Sequence, residues 1–341
     1  MKQTDLARHL TDFLGKYLSV ECGMSTNTIK TYSYTFTLIF VFMKTKYFIK
    51  SENLCLSDLS KQRVIEFLSW LEDERKSSVS TRNARLAAIR SFFRYLQYRD
   101  VGRIAEWQDI LSIKQKKAAT PEMSYLSLEG IKLLLQQPDI LTHKGIRDFI
   151  LLSLLYDSGC RVQELINLSP CDIRQGEHVT VKLLGKGQKS RIVPLSNIQA
   201  SNLLKYINDS GLGLKENQAA PLFSNPQGNR LSRMAVLNIV KKYIKMAREI
   251  DNSLIPDGIS CHSFRHSKAM HMLESEINLV YIRDFLGHSS TTTTEIYARA
   301  SDKMKSKVLS KLDNTIVQEG MTSWQKDKGI LEFLKNLQDK S

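Results

Sequence analysis

Apolar residues recur at helical spacing through residues 1–100, in four sets: Leu6, Leu10, Phe13 and Tyr17; Ile29, Tyr32, Phe36, Ile39 and Met43; Val64, Phe67, Leu68 and Leu71; and Leu86, Ile89, Phe93 and Leu96. Residues three and four apart share one face of a helix, so each set predicts an amphipathic helix with a single buried stripe. Gly23 supplies a stop after the first set, Ser25 a cap for the second and Ser80 a cap for the fourth. Arg85, Arg90 and Arg94 flank the fourth stripe instead of opposing it, which suits a helix laid along a phosphate backbone as well as one with solvated shoulders. No strand-like alternation interrupts this stretch. A four-helix domain over residues 1–110 is therefore expected.

The pattern then changes. Lys114, Gln115, Lys116 and Lys117 lead through Ala118 and Ala119 to Pro121, a polar, basic and proline-closed run that reads as a linker over residues 111–124. A second domain is expected over residues 125–315, and it too is mainly helical: a helix led by Ser127, one over Ile146–Asp157, a long basic one from Ser232 to Glu249, and more beyond Cys261. One segment alternates instead. His178–Leu183, a glycine-rich turn around Lys186, and Arg191–Leu195 predict an antiparallel β-hairpin. The predicted class is thus mainly α with a small antiparallel hairpin or sheet. Residues 316–341 form a tail whose Trp324, Ile330, Leu331, Phe333, Leu334 and Leu337 predict a short helix that docks on its own domain or a neighbour's.

Charge narrows the partner. The chain of 341 residues holds 49 Lys and Arg against 35 Asp and Glu, a net +14. The surplus is shared: +8 over residues 1–120 and +6 over residues 121–341. A spread-out basic surface suits a protein that surrounds a polyanion, most simply nucleic acid or an anionic membrane surface. The first residues lack the apolar core of a signal peptide, and the longest apolar stretches are far too short to cross a bilayer. Five scattered cysteines without a CxxC pair argue against a disulfide framework or a zinc site. An intracellular protein that needs neither membrane nor metal is expected.

Several familiar chemistries fail on inspection. Gly185-Lys186-Gly187 lacks the Ser or Thr a P-loop requires after its lysine, and Gly211-Leu212-Gly213 lacks the third glycine of a dinucleotide fingerprint. His262 and His266 are spaced as in a zinc protease, but Ser263 stands where that motif needs Glu. A set of basic side chains and one tyrosine remains. Arg161 lies one helical turn before Glu164, close enough for a bidentate pair to orient its guanidinium. Lys186 sits on the hairpin loop, His262 and Arg265 are three apart at a helix start, His288 follows Leu286-Gly287, and Tyr297 comes after a run of Ser and Thr. Taken singly, each has a dull explanation as a surface pair, a turn residue or packing.

Taken together, their order resembles the tyrosine recombinase, or phage-type integrase, family, whose catalytic order is Arg, Lys, His-x-x-Arg, His or Trp, Tyr. This chain supplies Arg161, Lys186, His262, Arg265, His288 and Tyr297 in that order, with flanking words such as Asp157-Ser158-Gly159-Cys160-Arg161 and Leu286-Gly287-His288-Ser289 also similar. The catalytic likeness covers about residues 125–312; the helical front agrees with the family's core-binding (SAM-like) DNA-binding domain in pattern only. The resemblance implies metal- and ATP-independent cleavage and rejoining of DNA through a 3′-phosphotyrosine link, with no cofactor. In that scheme Tyr297 attacks, Arg161 and Arg265 clamp the non-bridging oxygens, and His288 adds a donor. Lys186 protonates the leaving 5′-oxygen, His262 is the candidate base, Glu164 supports Arg161, and His266 contacts phosphate or, the preferred reading, packs. Arg85, Arg90, Arg94, Lys114, Lys116 and Lys117 are the candidate DNA contacts.

The family further implies double-stranded DNA with specific recombination sites as partner, a homotetramer on that DNA, room for accessory recombination proteins, and a cytoplasmic, nucleoid-associated place in a prokaryote or phage. The Ser289–Thr294 stretch would be a mobile link to the Tyr297 helix. Where many members carry a histidine two residues beyond the tyrosine, this chain has Arg299, which bears on subfamily. Integration, excision or transposition of a mobile element is the expected role. The alternatives are a chromosome-dimer resolvase of the Xer type, a type IB topoisomerase, and a non-catalytic DNA-binding regulator.

Overall fold

The structure is a computed structural model; it describes residues 3–118, 123–185, 187 and 189–288, together with Thr294, Tyr297 and Gly329. The chain divides into two compact units, Met1–Pro121 and Glu122–Ser341. No described helix is long and apolar enough to cross a membrane.

In the first unit, α1 (Asp5–Asp12) runs into a π-helical segment (Phe13–Glu21), followed by α2 (Thr26–Tyr47), α3 (Lys61–Asp73), α4 (Val79–Arg99) and α5 (Ile104–Leu111). The π-helix shifts the buried stripe. After Leu6, Leu10 and Phe13 the next buried side chain is Leu18, not Tyr17, because a wider turn adds a residue before the face recurs. Ser25 caps α2 through Thr28 N–H, as expected. The cap of α4 is Ser78, whose Oγ accepts from Thr81 N–H, so Ser80 lies inside the helix. Phe13 stands at the centre, its ring 5.2 Å from Phe92 and 5.5 Å from Tyr95.

The helix before the expected linker of residues 111–124, and the first part of that linker, are fastened down. Trp107 of α5 is fully buried against Phe93. Beyond α5, Asn83 bonds both the N–H and the C=O of Lys116, and the Lys116 ammonium meets Glu72 at 2.7 Å.

The second unit holds α6 (Leu128–Leu135), capped by Ser127, then α7 (His143–Asp157), α8 (Val162–Asn167), α9 (Asn197–Asp209), α10 (Arg233–Ile250), α11 (Cys261–Glu274) and α12 (Leu279–Leu286). The hairpin pairs β2 (Thr180–Leu184) with β3 (Ser190–Pro194) in antiparallel register, Lys182 opposite Ile192. A short β1 (Ile173–Arg174) adds to β2, so the sheet has three strands in the order β1-β2-β3. Its inner residues Val181, Leu183 and Val193 join α7, α9 and α10 side chains in one core. The expected C-terminal helix, Lys186, Arg299 and the link residues Ser289–Thr293 lie outside the described residues. Thr294 is helical and 1% exposed.

Candidate active site

Four chain turns converge on one spot in the second unit. The first leaves α7 through Gly159, whose φ of +56° and closeness to Leu286 (an added Cβ would meet its Cδ2 at 2.9 Å) both demand glycine. Arg161 follows as the N-cap residue of α8. Its backbone N–H donates to Glu164 Oε2 at 2.8 Å and its Nη1 to Oε1 at 2.9 Å. The expected pairing of Arg161 with Glu164 is therefore made by one guanidinium nitrogen only. The two-pronged partner is Arg191 of β3, whose Nη1 and Nη2 reach Oε1 at 3.0 Å and Oε2 at 2.8 Å. Burial raises the Glu164 carboxyl, but the Arg191 hydrogen bond and the Arg161 amide outweigh it and hold it below 4.5.

Arg191 was not among the sequence candidates. Its Nε also donates to Phe285 O at 2.9 Å, so it ties the hairpin to α8 and to the end of α12. Lys186 itself is outside the described residues, but the loop that carries it starts beside this node: a Cβ on Gly185 would stand 3.3 Å from Glu164 Oε1 and 3.9 Å from Arg161 Nη1.

Helix α11 brings Arg265 in, 4% exposed, with Nη1 donating to Gly159 O at 2.8 Å and Nη2 to Leu286 O at 2.6 Å. Burial, then the neighbouring charges of Arg161 and Arg191, lower this guanidinium to about 10. Helix α12 ends at Gly287, at φ +67°, where an added Cβ would meet Arg191 Cδ at 2.9 Å; only glycine turns the chain there. His288 follows, its N–H on Arg283 O and its Nδ1 2.9 Å from Thr294 Oγ1. Burial, then Arg265, Arg161, Arg191 and His266, push its imidazole down to about 4, so it is neutral at pH 7.

Tyr297 completes the group. It is 3% exposed, its hydroxyl lies 3.1 Å from His266 Nδ1, and its ring lies 6.2 Å from that of His288, tilted by only 11°. Burial raises the phenol, while the charges of Arg265 and Arg161 pull it down. Burial, followed by His262 and Arg265, keeps His266 below 6.5 and so neutral and able to accept a proton. His266, expected to pack or to contact phosphate, is thus the imidazole on the tyrosine. His262, one turn earlier, is exposed and stands 6.5 Å from His266, ring to ring. Among the described residues no group of three His, Cys, Asp or Glu could hold a metal ion.

The candidate DNA contacts of the first unit divide. Arg94, Lys114 and Lys117 are exposed. Arg85 is engaged internally, donating to Thr31 O and Thr35 Oγ1 with its guanidinium 4.9 Å over Tyr34. Arg90 is half-buried, and its Nε has no hydrogen-bond partner among the described residues.

A phenol held on a neutral imidazole among guanidinium groups, carried by a helical unit with one small sheet, is an arrangement that suits a tyrosine hydroxyl set beside a phosphate. The phage integrase family matches residues 124–304, and the phage integrase N-terminal SAM-like domain matches residues 10–100. Tyrosine recombinase XerD of Listeria innocua is 31% identical over 86% of this chain and 94% of its own. A Sinorhizobium fredii protein, y4rC, carrying the provisional name of integrase/recombinase, is 29% identical over 98% of this chain and 99% of its own. Among solved structures, the XerH site-specific recombinase shares the fold with a TM-score of 0.66 at 22% identity, covering 87% of this chain and 83% of that one. The Tn1549 transposon integrase does so at 0.68 and 15%, covering 89% and 99%. The chain belongs to the phage integrase family: it is a tyrosine recombinase, an enzyme of site-specific DNA recombination.

Proposed function

We propose that the chain cuts and rejoins double-stranded DNA at specific recombination sites through Tyr297, in the integration, excision or transposition of a mobile element. The observation that carries this is the Tyr297 hydroxyl 3.1 Å from His266 Nδ1, beside Arg161, Arg265 and His288. In the forward step the phenolic proton passes to His266 as the oxygen bonds to phosphorus, and the bond to the 5′-oxygen breaks. Lys186 protonates that leaving oxygen; the packing of Gly185 against Glu164 supports its reach. Arg161 and Arg265 balance the charge on the non-bridging oxygens, with His288 and the exposed His262 as further donors. The energy of the broken bond stays in the phosphotyrosine ester, so a different 5′-hydroxyl can attack later without ATP.

The two units supply the two tasks in this reading: residues 1–110 grip the duplex, joined through 111–124 to catalysis in 125–315. Exposed Arg94, Lys114 and Lys117 are the better candidates for phosphate contact, and residues 316–341 dock between protomers of a tetramer assembled on DNA. We place the enzyme with the DNA of a prokaryotic cytoplasm. The full-length likeness to y4rC supports the mobile-element role, and the XerD relatives favour chromosome-dimer resolution as the second reading.

The test uses a nicked substrate that traps the covalent adduct. Wild type should form it and Tyr297→Phe should bind DNA without forming it; an adduct on the Phe variant refutes the assignment. Sequencing junctions made beside the native flanking DNA separates the roles: joined element ends support the first, and exchange confined to a fixed chromosomal site supports the second.

A further inference from the structure

We propose that Thr294 is a positioning residue for strand transfer: its hydroxyl settles which nitrogen of His288 carries the proton, leaving Nε2–H to donate to a phosphate oxygen. This rests on Tyr297 as nucleophile, three residues further along the same chain.

The geometry is specific. Thr294 is 1% exposed and its Oγ1 lies 2.9 Å from His288 Nδ1, the one side-chain hydrogen bond to that ring among the described residues. The backbone of His288 is pinned by its N–H on Arg283 O behind the left-handed Gly287, and its ring lies nearly parallel to Tyr297. The charged and titratable groups around it are Arg161, Arg191 and Arg265, with His266 and Tyr297. Glu164, the nearby carboxylate, is already taken by Arg161 and Arg191.

In this surround the imidazole is neutral at pH 7, so it has one N–H to give and one lone pair. With the proton on Nδ1, Nε2 would turn a lone pair toward a phosphate oxygen and repel it. When the Thr294 hydroxyl donates to Nδ1, that nitrogen is the acceptor and Nε2 keeps the proton. With phosphate bound, this is the arrangement in which no two lone pairs face each other. The hydroxyl does for His288 what an outer hydrogen bond does for a metal-binding histidine.

The experiment measures single-turnover adduct formation on the nicked substrate, DNA affinity, and the His288 tautomer by nitrogen NMR of the DNA-bound protein. Thr294→Val, equal in shape but without the hydroxyl, should slow adduct formation by roughly 10–100-fold at unchanged affinity. Thr294→Ser should restore most of the rate. In a His288→Ala background, Thr294→Val should cost nothing further, because the effect passes through the imidazole. Wild-type Nδ1 should be unprotonated. The inference falls if Thr294→Val cleaves at the wild-type rate, if its loss persists without His288, or if wild-type Nδ1 carries the proton. Should Thr294→Val fail to fold, the wild-type tautomer and the Ser variant still decide. Failure of the broader reading looks different: Tyr297→Phe would then still form the adduct, or wild type would form none.

Discussion

Glu164→Gln isolates what a single carboxylate does among the site's cations. Its two oxygens accept four hydrogen bonds, from the Arg161 amide, Arg161 Nη1, and both terminal nitrogens of Arg191. An amide offers one oxygen, and turns an NH2 toward guanidinium donors that need an acceptor. Breaking a buried pair by removing one partner costs about 3–5 kcal/mol. The Arg161 side chain is 36% exposed, so water screens much of its share, whereas Arg191 is 12% exposed and bears most of the loss. The expected destabilisation is therefore at the low end, about 3 kcal/mol. At 2–4 °C per kcal/mol for a unit of this size, the melting temperature of the second unit should fall by roughly 6–12 °C.

Calorimetry of the full chain at pH 7 reads this directly, and acid gives the sign. The folded carboxyl lies below its usual 4.5 because Arg191 and the Arg161 amide outweigh the upward push of burial. Its stabilisation is thus fully present above 4.5 and is lost as pH falls through the folded value. The gap between wild type and Glu164→Gln should be full at pH 7 and shrink below 4.5. A melting temperature within about 2 °C of wild type at pH 7, or a gap that does not narrow in acid, would refute the reasoning.

Other substitutions probe the first unit. Arg94→Ala should weaken binding on every DNA sequence and reduce the slope of log affinity against log salt by about 1, read by anisotropy titrations. Arg85→Ala should instead cost about 1–2 kcal/mol of stability in a denaturant melt, with little change in that slope, because its guanidinium is bound to Thr31 and Thr35. Trp107→Ala should destabilise the unit by about 3–5 kcal/mol in the same melt, the cost of emptying a large buried site.

Local signals carried far in this chain, and long-range ones did not. The stripes of α2, α3 and α4 were legible because packing only had to confirm their period. The hairpin was legible from alternation and its glycine turn. The choice of Ser78 over Ser80 was hidden because serine at either position satisfies the same capping rule, and only the helix start decides. The π-helix was hidden because its signature is a slip in burial, from Tyr17 to Leu18. The short helix α5 was not anticipated although Ile104, Trp107, Ile110 and Leu111 recur at helical spacing and Trp107 and Ile110 are buried.

In the site, the order of motifs pointed to Arg161, Arg265, His288 and Tyr297, and the fold brings them together. Arg191 meets a glutamate 27 residues away and a carbonyl 94 residues away, contacts that no spacing rule anticipates. His262 and His266 lie one turn apart on one helix, so which of them faces Tyr297 depends on how α11 is rotated against its neighbours, a tertiary fact.

The site is short of negative charge, and that shortage links its stability to its chemistry. A lowering of Arg265 from 12.5 to about 10 corresponds to about 3 kcal/mol working against its charge. The guanidinium is still charged at pH 7, held by the Gly159 and Leu286 carbonyls against burial and against the repulsion of Arg161 and Arg191. A phosphate placed in the cluster reverses that sign, and the attraction grows as the pentavalent state gathers charge, so the stabilisation is concentrated where the barrier lies. In the proposed reaction the same field acts on the Tyr297 phenol. Burial keeps the Tyr297 phenol protonated on a neutral His266 in the absence of DNA, while Arg265 and Arg161 favour the phenolate. In the proposed reaction bound phosphate neutralises part of that help, so the proton would leave as the oxygen attacks, with His266, 3.1 Å away, as its acceptor in the same step.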